Sequence, residues 1–164
     1  MQIVTISEAQ KMSSPNPFGL ISVKKENGDT NLMAVSWWTY TSNHPASIAV
    51  CLNNKGYSGS RIREERLFAL SLVVEEMKNK ALLCGACSGR DVDKAKDFGV
   101  SLAGDGDFSV EYVADSSVVF LCELTTCVAV GDHTMYFAEV RNVLANPGTQ
   151  SLHAMGGYKR LAVL

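Results

Sequence analysis

Three short polar clusters hold the residue types of this 164-residue chain that could do chemistry. The densest runs from Ser88 to Lys94 and places two acids and two bases within seven residues. The second is the segment 31–38, and the third is the turn-like segment 131–133, which ends in His133. Each cluster lies beside long apolar runs. This pattern predicts a polar ligand site on an apolar scaffold.

A loop rich in hydroxyls and amides, residues 53–61, follows an apolar run and precedes a short charged stretch. The start of a helix presents free backbone N–H groups and a partial positive charge, which together attract phosphate. A solvated loop ending in a helix cap has the same composition, and the segment alone favours this simpler interpretation. If phosphate binds here, Asn53 and Lys55 are the side chains expected to reach it.

Trp37 and Trp38 are large aromatic side chains at the end of a predicted strand. Because such rings are costly to expose, they indicate a core position, a dimer interface or stacking on a planar ligand, and the sequence leaves these alternatives open. Lys94 near a predicted helix start opposes the helix dipole, and this small unfavourable interaction hints at a functional role.

The five cysteines are an odd number, which does not suit a disulfide framework. Cys84 and Cys87 form a Cys-x-x-Cys pair, which would suit a redox dithiol or half of a zinc site. Cys122 and Cys127 lie five residues apart in a predicted strand, a spacing that sends the side chains to opposite faces. We therefore predict no metal site and favour packing roles for the cysteines.

Short strands dominate the predicted secondary structure. Apolar runs bounded by Asn, Gly and Pro predict strands at 20–23, 31–37, 47–52, 68–74, 110–113, 118–130 and 134–143. Turn residues connect strands at 27–29 and 146–148. Helices are expected at 61–66, 75–83 and 92–98, the last one started by a capping box of Ser88 and Asp91 and ended at Gly99. Many adjacent strands with few helices indicate a mainly β fold, a small closed or half-closed barrel.

Composition narrows the functional classes. A formal net charge of −2 argues against nucleic-acid binding, which requires dense Lys and Arg. No run approaches the roughly 18 apolar residues of a membrane span, and the first residues lack the basic region of a signal peptide. No dinucleotide-binding glycine motif or nucleophile elbow is present. We expect a single domain over residues 1–164, located in the cytoplasm, with neither nucleic acid nor membrane as a partner.

Several motifs resemble, in order and approximate spacing, those of the flavin reductase-like FMN-binding split-barrel family, close to its flavoredoxin branch. They are segment 31–37, the pair His44–Pro45, segment 88–94, and segment 131–133 followed by Glu139–Val140. The resemblance extends from about Phe18 to Tyr158. It implies a mainly β, Greek-key-like split barrel with a few short helices.

The resemblance also implies a non-covalently bound FMN and a homodimer with the flavin near the subunit interface. Carried over position by position, Asn31, Trp37, Ser58, Lys94 and His133 would contact the flavin, and the backbone of 34–37 would line its ring. With the loop residues and a covering Tyr158 included, the predicted cofactor-binding residues are Asn31, Met33, Ala34, Val35, Ser36, Trp37, Asn53, Lys55, Tyr57, Ser58, Lys94, His133 and Tyr158.

The chain departs from the family at Ala34, where relatives commonly carry Thr, and at 44–46, where His-Pro-Ala replaces a more usual Pro-Pro pair. The expected activity is that of an oxidoreductase, which passes electrons from a nicotinamide or protein donor through FMN to an acceptor. Hydride transfer needs no acid–base residue, so no catalytic residue is predicted, and a cation such as Lys94 or His133 would raise the flavin potential. Alternatives are an electron carrier or flavin-binding protein without NAD(P)H turnover, and a thiol-redox protein that uses Cys84 and Cys87.

Overall fold

Antiparallel strands are the main secondary structure of the computed structural model, which describes residues 1–158 and 160–164. The strands are β1 (Asn16–Pro17), β2 (Gly19–Lys24), β3 (Thr30–Val35), β4 (Trp38–Asn43), β5 (Ala46–Asn53), β6 (Leu67–Val73), β7 (Leu102–Asp105), β8 (Phe108–Val113), β9 (Ser116–Val130), β10 (His133–Ala145), β11 (His153–Met155) and β12 (Arg160–Ala162). The helices are α1 (Ile6–Met12), α2 (Tyr57–Glu65), α3 (Lys78–Ala86) and α4 (Lys94–Asp97), with a 3-10 turn at Glu75–Met77. No helix in these described residues is long and apolar enough to cross a membrane.

The main sheet has seven strands in the order β3-β2-β6-β9-β10-β5-β4. It curls far enough that β3 also contacts β5, while β3 and β4 stay at opposite edges of the strand order. A curled sheet with two separate edges is a half-closed barrel. The prediction of a mainly β split barrel is confirmed.

Both faces of the central strands β2 and β6 are buried. Ile21 and Val23 of β2 point into the barrel core, together with Phe68 and Tyr136. Leu20 of the same strand points outward into a second core, which α3 and the small sheet β1-β11-β12 cover. Burial on both faces explains why β2 has apolar residues at adjacent positions, Leu20 and Ile21, and not only at alternating ones.

The predicted strands are confirmed within a few residues, and the helices differ more. α2 begins at Tyr57, four residues before the predicted start, so the polar loop supplies the helix's first turn. α3 continues through Gly85 to Ala86. The capping-box prediction is wrong: Asp93 caps the short α4 by accepting from the Lys96 amide, while Ser88 Oγ accepts from the Arg90 amide. The strands β1, β4, β7, β11 and β12 and the terminal helix α1 were not predicted.

The prediction that Cys122 and Cys127 face opposite sides is also wrong. The β9–β10 register shifts between Phe137 and Ala138, which pair with Thr126 and Leu124 and leave Thr125 as an extra residue. Such a bulge reverses the alternation, so both cysteines contact the barrel core. All five thiols are free, and within the described ranges no group of three or more His, Cys, Asp or Glu side chains could hold a metal.

Candidate functional site

A cleft lies between β3, the start of α2 and the end of α3. It consists of three adjoining cavities that share Ala34 and Gly85. The polar chamber, about 400 Å³, is lined by Asn31, the loop 53–58 and the segment 84–90. The tryptophan chamber, about 310 Å³, contains Trp37 and His133, and the apolar chamber, about 350 Å³, contains Phe18 and Leu82. Each volume lies within the range of small-molecule sites.

The start of α2 forms one wall of the polar chamber. Gly56 is its N-cap residue, and no side chain in the described structure caps the helix. The first amides of α2 therefore keep free N–H groups, which favour an anion. Ser58, in this first turn, is buried and accepts a hydrogen bond from Asn31 Nδ2 at 2.9 Å.

Asn31 and Gly89 meet across the polar chamber. A Cβ atom built on Gly89 would lie 1.8 Å from Asn31 Oδ1, so a glycine is needed for this close approach. Asn31 Oδ1 is itself buried and accepts no hydrogen bond from the part of the chain that the structure describes. A buried acceptor without a donor costs free energy unless a ligand or water donates to it, and Asn31 lines the chamber.

Lys94 is a buried cation at the chamber wall. Its Nζ donates to Leu32 O at 2.8 Å and to Cys84 O at 2.6 Å, which ties β3 to α3. An ammonium group has three N–H donors, so one remains for a ligand. Burial lowers the pKa of Lys94, while the neighbouring thiols of Cys87 and Cys84 act in the opposite direction.

Trp37 and His133 form the far wall of the tryptophan chamber. Their ring centroids are 4.9 Å apart with planes inclined at 36°. Asp132 Oδ1 holds His133 Nδ1 at 2.8 Å, and this hydrogen bond lowers the pKa of the Asp132 carboxyl. The result is a largely aromatic surface with a polar edge.

Tyr158 lies where the tryptophan and apolar chambers join. Its backbone has a φ of 67°, in the left-handed region, and it follows two glycines that are also left-handed. Its ring packs edge-on against Phe18 with centroids 6.0 Å apart. The turn thus holds a half-exposed aromatic side chain over the cleft.

The structure brings the predicted residues together. Met33, Ala34, Val35 and Asn53 line the tryptophan chamber, and Lys55, Tyr57 and Ser58 line the polar one. Ser36 instead lines a small neighbouring cavity of about 150 Å³, which it shares with Trp37, Tyr158 and α1. The role of these residues as flavin contacts stays a prediction.

Other cleft residues were not predicted as contacts: Gly56, Cys84, Gly85, Cys87, Gly89 and Arg90. Gly89 and Arg90 belong to the polar segment 88–94. Their place in this segment is the sequence signal that could have identified them as cleft residues. Cys84 is fully buried, and burial raises the pKa of its thiol to about 11. Because thiol chemistry requires the thiolate, this buried cysteine is a poor redox centre at neutral pH.

A larger cavity, about 600 Å³, lies elsewhere, beside the start of α3 and the turn after β10. Glu75, Glu76 and Asp115 line it with Lys80. Its acidic side chains do not suit an anionic ligand. The cleft is favoured because free amides, cations and aromatic rings converge there, although its chambers are smaller.

Residues 12–162 match the family model described as a flavin reductase-like domain. The chain belongs to this family. Two curated relatives, uncharacterised proteins from Aeropyrum pernix and Archaeoglobus fulgidus, are 25% and 23% identical over 125 and 113 residues. These matches cover 76% and 69% of this chain, but only 48% and 64% of the relatives' own lengths.

Solved structures of family-like proteins share the fold. Flavoredoxin of Desulfovibrio vulgaris superposes with a TM-score of 0.84 at 20% identity, covering 93% of this chain and 88% of that one. An NADH:FAD oxidoreductase of Streptomyces globisporus gives 0.87 at 16% identity, covering 100% and 98%. An FMN-binding protein from Thermus thermophilus gives 0.83 at 19% identity, covering 99% and 92%. At these identities the similarity establishes the fold alone.

Proposed function

We propose that the cleft binds FMN non-covalently and that the protein is an FMN-dependent oxidoreductase. The observation that carries this proposal is the uncapped start of α2, which adjoins Ser58, Asn31 and Lys94 and opens toward the aromatic Trp37 surface. A phosphate at one end and a planar ring at the other fit these two environments. The buried, unpaired Asn31 Oδ1 supplies an acceptor for a ligand N–H or O–H group.

In this proposal the phosphate end is held by the amides of α2 with Asn53, Lys55, Tyr57 and Ser58. The ring lies along the segment 33–37, between Gly85 and the Trp37–His133 surface, with Tyr158 covering it. The remaining proposed contacts are Asn31 and Lys94.

Bound FMN would supply hydride chemistry, and the protein residues would orient the ring and tune its charge. Lys94 contributes a buried positive charge, and His133 places its imidazole beside the slot. A cation near a ring that becomes negative on reduction stabilises the reduced form, so Lys94 would raise the reduction potential. No proton-transferring residue is required, and none is assigned.

The proposed electron donor is NADH or NADPH, and the acceptor is a small molecule or a redox protein. A structural neighbour is named an NADH:FAD oxidoreductase, which favours a nicotinamide donor. Another neighbour is named flavoredoxin, which favours a second candidate, an electron carrier that exchanges electrons with protein partners.

A homodimer is proposed from the surface beside the cleft. Val128 and Val130 at the end of β9 are 50% and 59% exposed. Val128 pairs with Met135, which pairs with Cys51, a residue of the tryptophan chamber. Directly paired residues share a face, so this apolar row continues into the cleft. A second copy that covers the row would place the flavin near the interface.

The visible absorption spectrum of the purified protein tests cofactor binding. We expect a flavin spectrum in the protein as isolated or after incubation with FMN, and mass spectrometry of the denatured protein should identify FMN. A colourless protein that gives no binding signal with FMN would contradict the proposal.

Oxidation of NADH and NADPH by the FMN-loaded protein separates the two candidates. Turnover with either nucleotide supports the oxidoreductase. Bound FMN that no nicotinamide reduces, but that a low-potential redox protein does, supports the electron carrier.

A further inference from the structure

A chain of contacts runs from the protein interior to the mouth of the polar chamber. The Arg61 side chain is buried; its Nε donates to Lys24 O at 2.9 Å, and its Nη1 lies 3.2 Å from Glu26 Oε1. Glu26 in turn accepts a hydrogen bond from the Tyr57 hydroxyl. The buried arginine thus fixes a glutamate, and that glutamate fixes the Tyr57 ring at the chamber wall.

Arg90 lies on this fixed ring. Its guanidinium carbon is 5.3 Å from the Tyr57 ring centroid, and its Nη1 donates to Lys55 O at 3.5 Å. Arg90 comes from the loop after α3, while Lys55 and Tyr57 come from the loop before and the first turn of α2. We call this pair the Arg90–Tyr57 clasp; it joins the two sides of the chamber, and both its residues line it.

We propose that the Arg90–Tyr57 clasp selects a flavin that ends in a phosphate monoester and disfavours one whose phosphate continues into a diphosphate, as in FAD. This inference rests on the proposed function. A terminal monoester carries about −1.5 to −2 charge at neutral pH on three acceptor oxygens. In the diphosphate of FAD, the phosphate next to the ribityl chain carries less charge on fewer free oxygens, because a bridging oxygen joins it to the second phosphate. A guanidinium beside an aromatic ring offers parallel N–H donors to such a group.

The charges around the chamber agree with this selection. Lys55, Arg90 and Lys94 are the cations of its lining, and no carboxylate among the described residues lines it with them. Glu26, the nearest acid in the network, is engaged by Arg61 and Tyr57.

Titrations of FMN, FAD and riboflavin against the full-length protein test the inference. We expect the wild type to bind FMN more tightly than FAD. Arg90→Ala should weaken FMN binding by about tenfold or more, because it removes a charge-assisted bidentate contact. The same variant should change riboflavin binding less than twofold and lower the FMN-to-FAD affinity ratio at least threefold. Arg90→Lys, which keeps the charge but not the planar fork, should recover only part of that ratio.

Arg141→Ala is the matched control. Arg141 is paired with Glu123 and Glu139 and lies about 27 Å along β10 from His133, so its loss removes the same charge far from the chamber. An FMN-to-FAD ratio that stays within twofold of wild type in Arg90→Ala, with an unchanged melting temperature, would overturn the clasp while leaving FMN binding intact. A wild-type protein that binds no flavin would overturn the proposed function as well.

Discussion

At the scale of single residues, a glycine shapes the polar chamber. Gly89 lets the loop after α3 rest against Asn31, whose amide then reaches Ser58. Any side chain at position 89 would displace Asn31 and break its hydrogen bond. The glycine in segment 88–94 is therefore explained by close packing, since its φ is not in the left-handed region.

Gly89→Ala tests this packing. The added methyl group would lie 1.8 Å from Asn31 Oδ1, so Asn31 must move. We expect a loss of about 1–3 kcal/mol in unfolding free energy, typical of overpacking, together with weaker FMN binding. Urea denaturation and FMN titration measure the two effects. Gly106→Ala, where the described structure leaves the Cβ position open within 4 Å, should change neither. Equal stability of Gly89→Ala and wild type would contradict the prediction.

Cys84 gives a prediction about alkaline stability. Burial raises the pKa of its thiol to about 11 in the folded protein, from the ordinary value of 9.0. Between pH 9 and pH 11 the folded chain keeps this proton and the unfolded chain loses it, so unfolding becomes easier as pH rises. We expect wild type to lose about 2–3 kcal/mol relative to Cys84→Ala across this window. Parallel profiles of unfolding free energy against pH for the two proteins would disprove the shift.

At the scale of elements, the packing of α3 against β3 creates the cleft. Ala34 on β3 and Gly85 on α3 are its shared walls, and a Cβ on Gly85 would lie 3.0 Å from Ala34 Cβ. Lys94 supports the same junction because it bonds carbonyls of both elements. Two small residues and one buried cation thus set how far the helix stands from the strand.

Gly85→Ala adds one methyl group at this junction. Alanine favours the helix interior by about 1 kcal/mol over glycine, which offsets the crowding against Ala34. We therefore expect nearly unchanged thermal stability but FMN binding weaker by about three- to tenfold. Leu83→Ala, at an exposed position of the same helix, is the control for flavin binding. Undiminished FMN affinity in Gly85→Ala would place the ring away from the junction.

At the scale of the whole molecule, the open barrel leaves apolar surface beside the cleft. Val128 and Val143 are both 50% exposed valines, but only Val128 shares a row with the cleft residue Cys51. A symmetric interface that uses this row would cover the same patch on both subunits.

Val128→Asp tests the proposed dimer. A charge at the centre of an apolar interface should raise the dimer dissociation constant by about tenfold or more and weaken FMN binding with it. Sedimentation velocity across a range of concentrations measures the first effect. Val143→Asp should leave the assembly unchanged. A wild-type protein that sediments as a monomer at every concentration would remove the basis of this prediction.

The sequence by itself determined the mainly β fold, most of its strands and the residues that gather in the cleft. Apolar runs bounded by turn residues fix strands locally, and the segments 31–37, 53–58 and 88–94 carry the polar groups wherever the fold brings them. The sequence did not determine the cap of α4. The spacing of Ser88 and Asp91 predicts a capping box, but Asp93 caps the helix.

Only the tertiary structure decided how these groups meet. The bulge at Thr125 reverses the facing of Cys127, the first turn of α2 begins at Tyr57, and Arg90 rests on a ring fixed by Glu26 and Arg61. Each of these depends on contacts between residues far apart in the chain. The local sequence shows which groups are present. The packing of α2 and α3 against β3 sets the distances between these groups, because close-packed elements leave each side chain few positions.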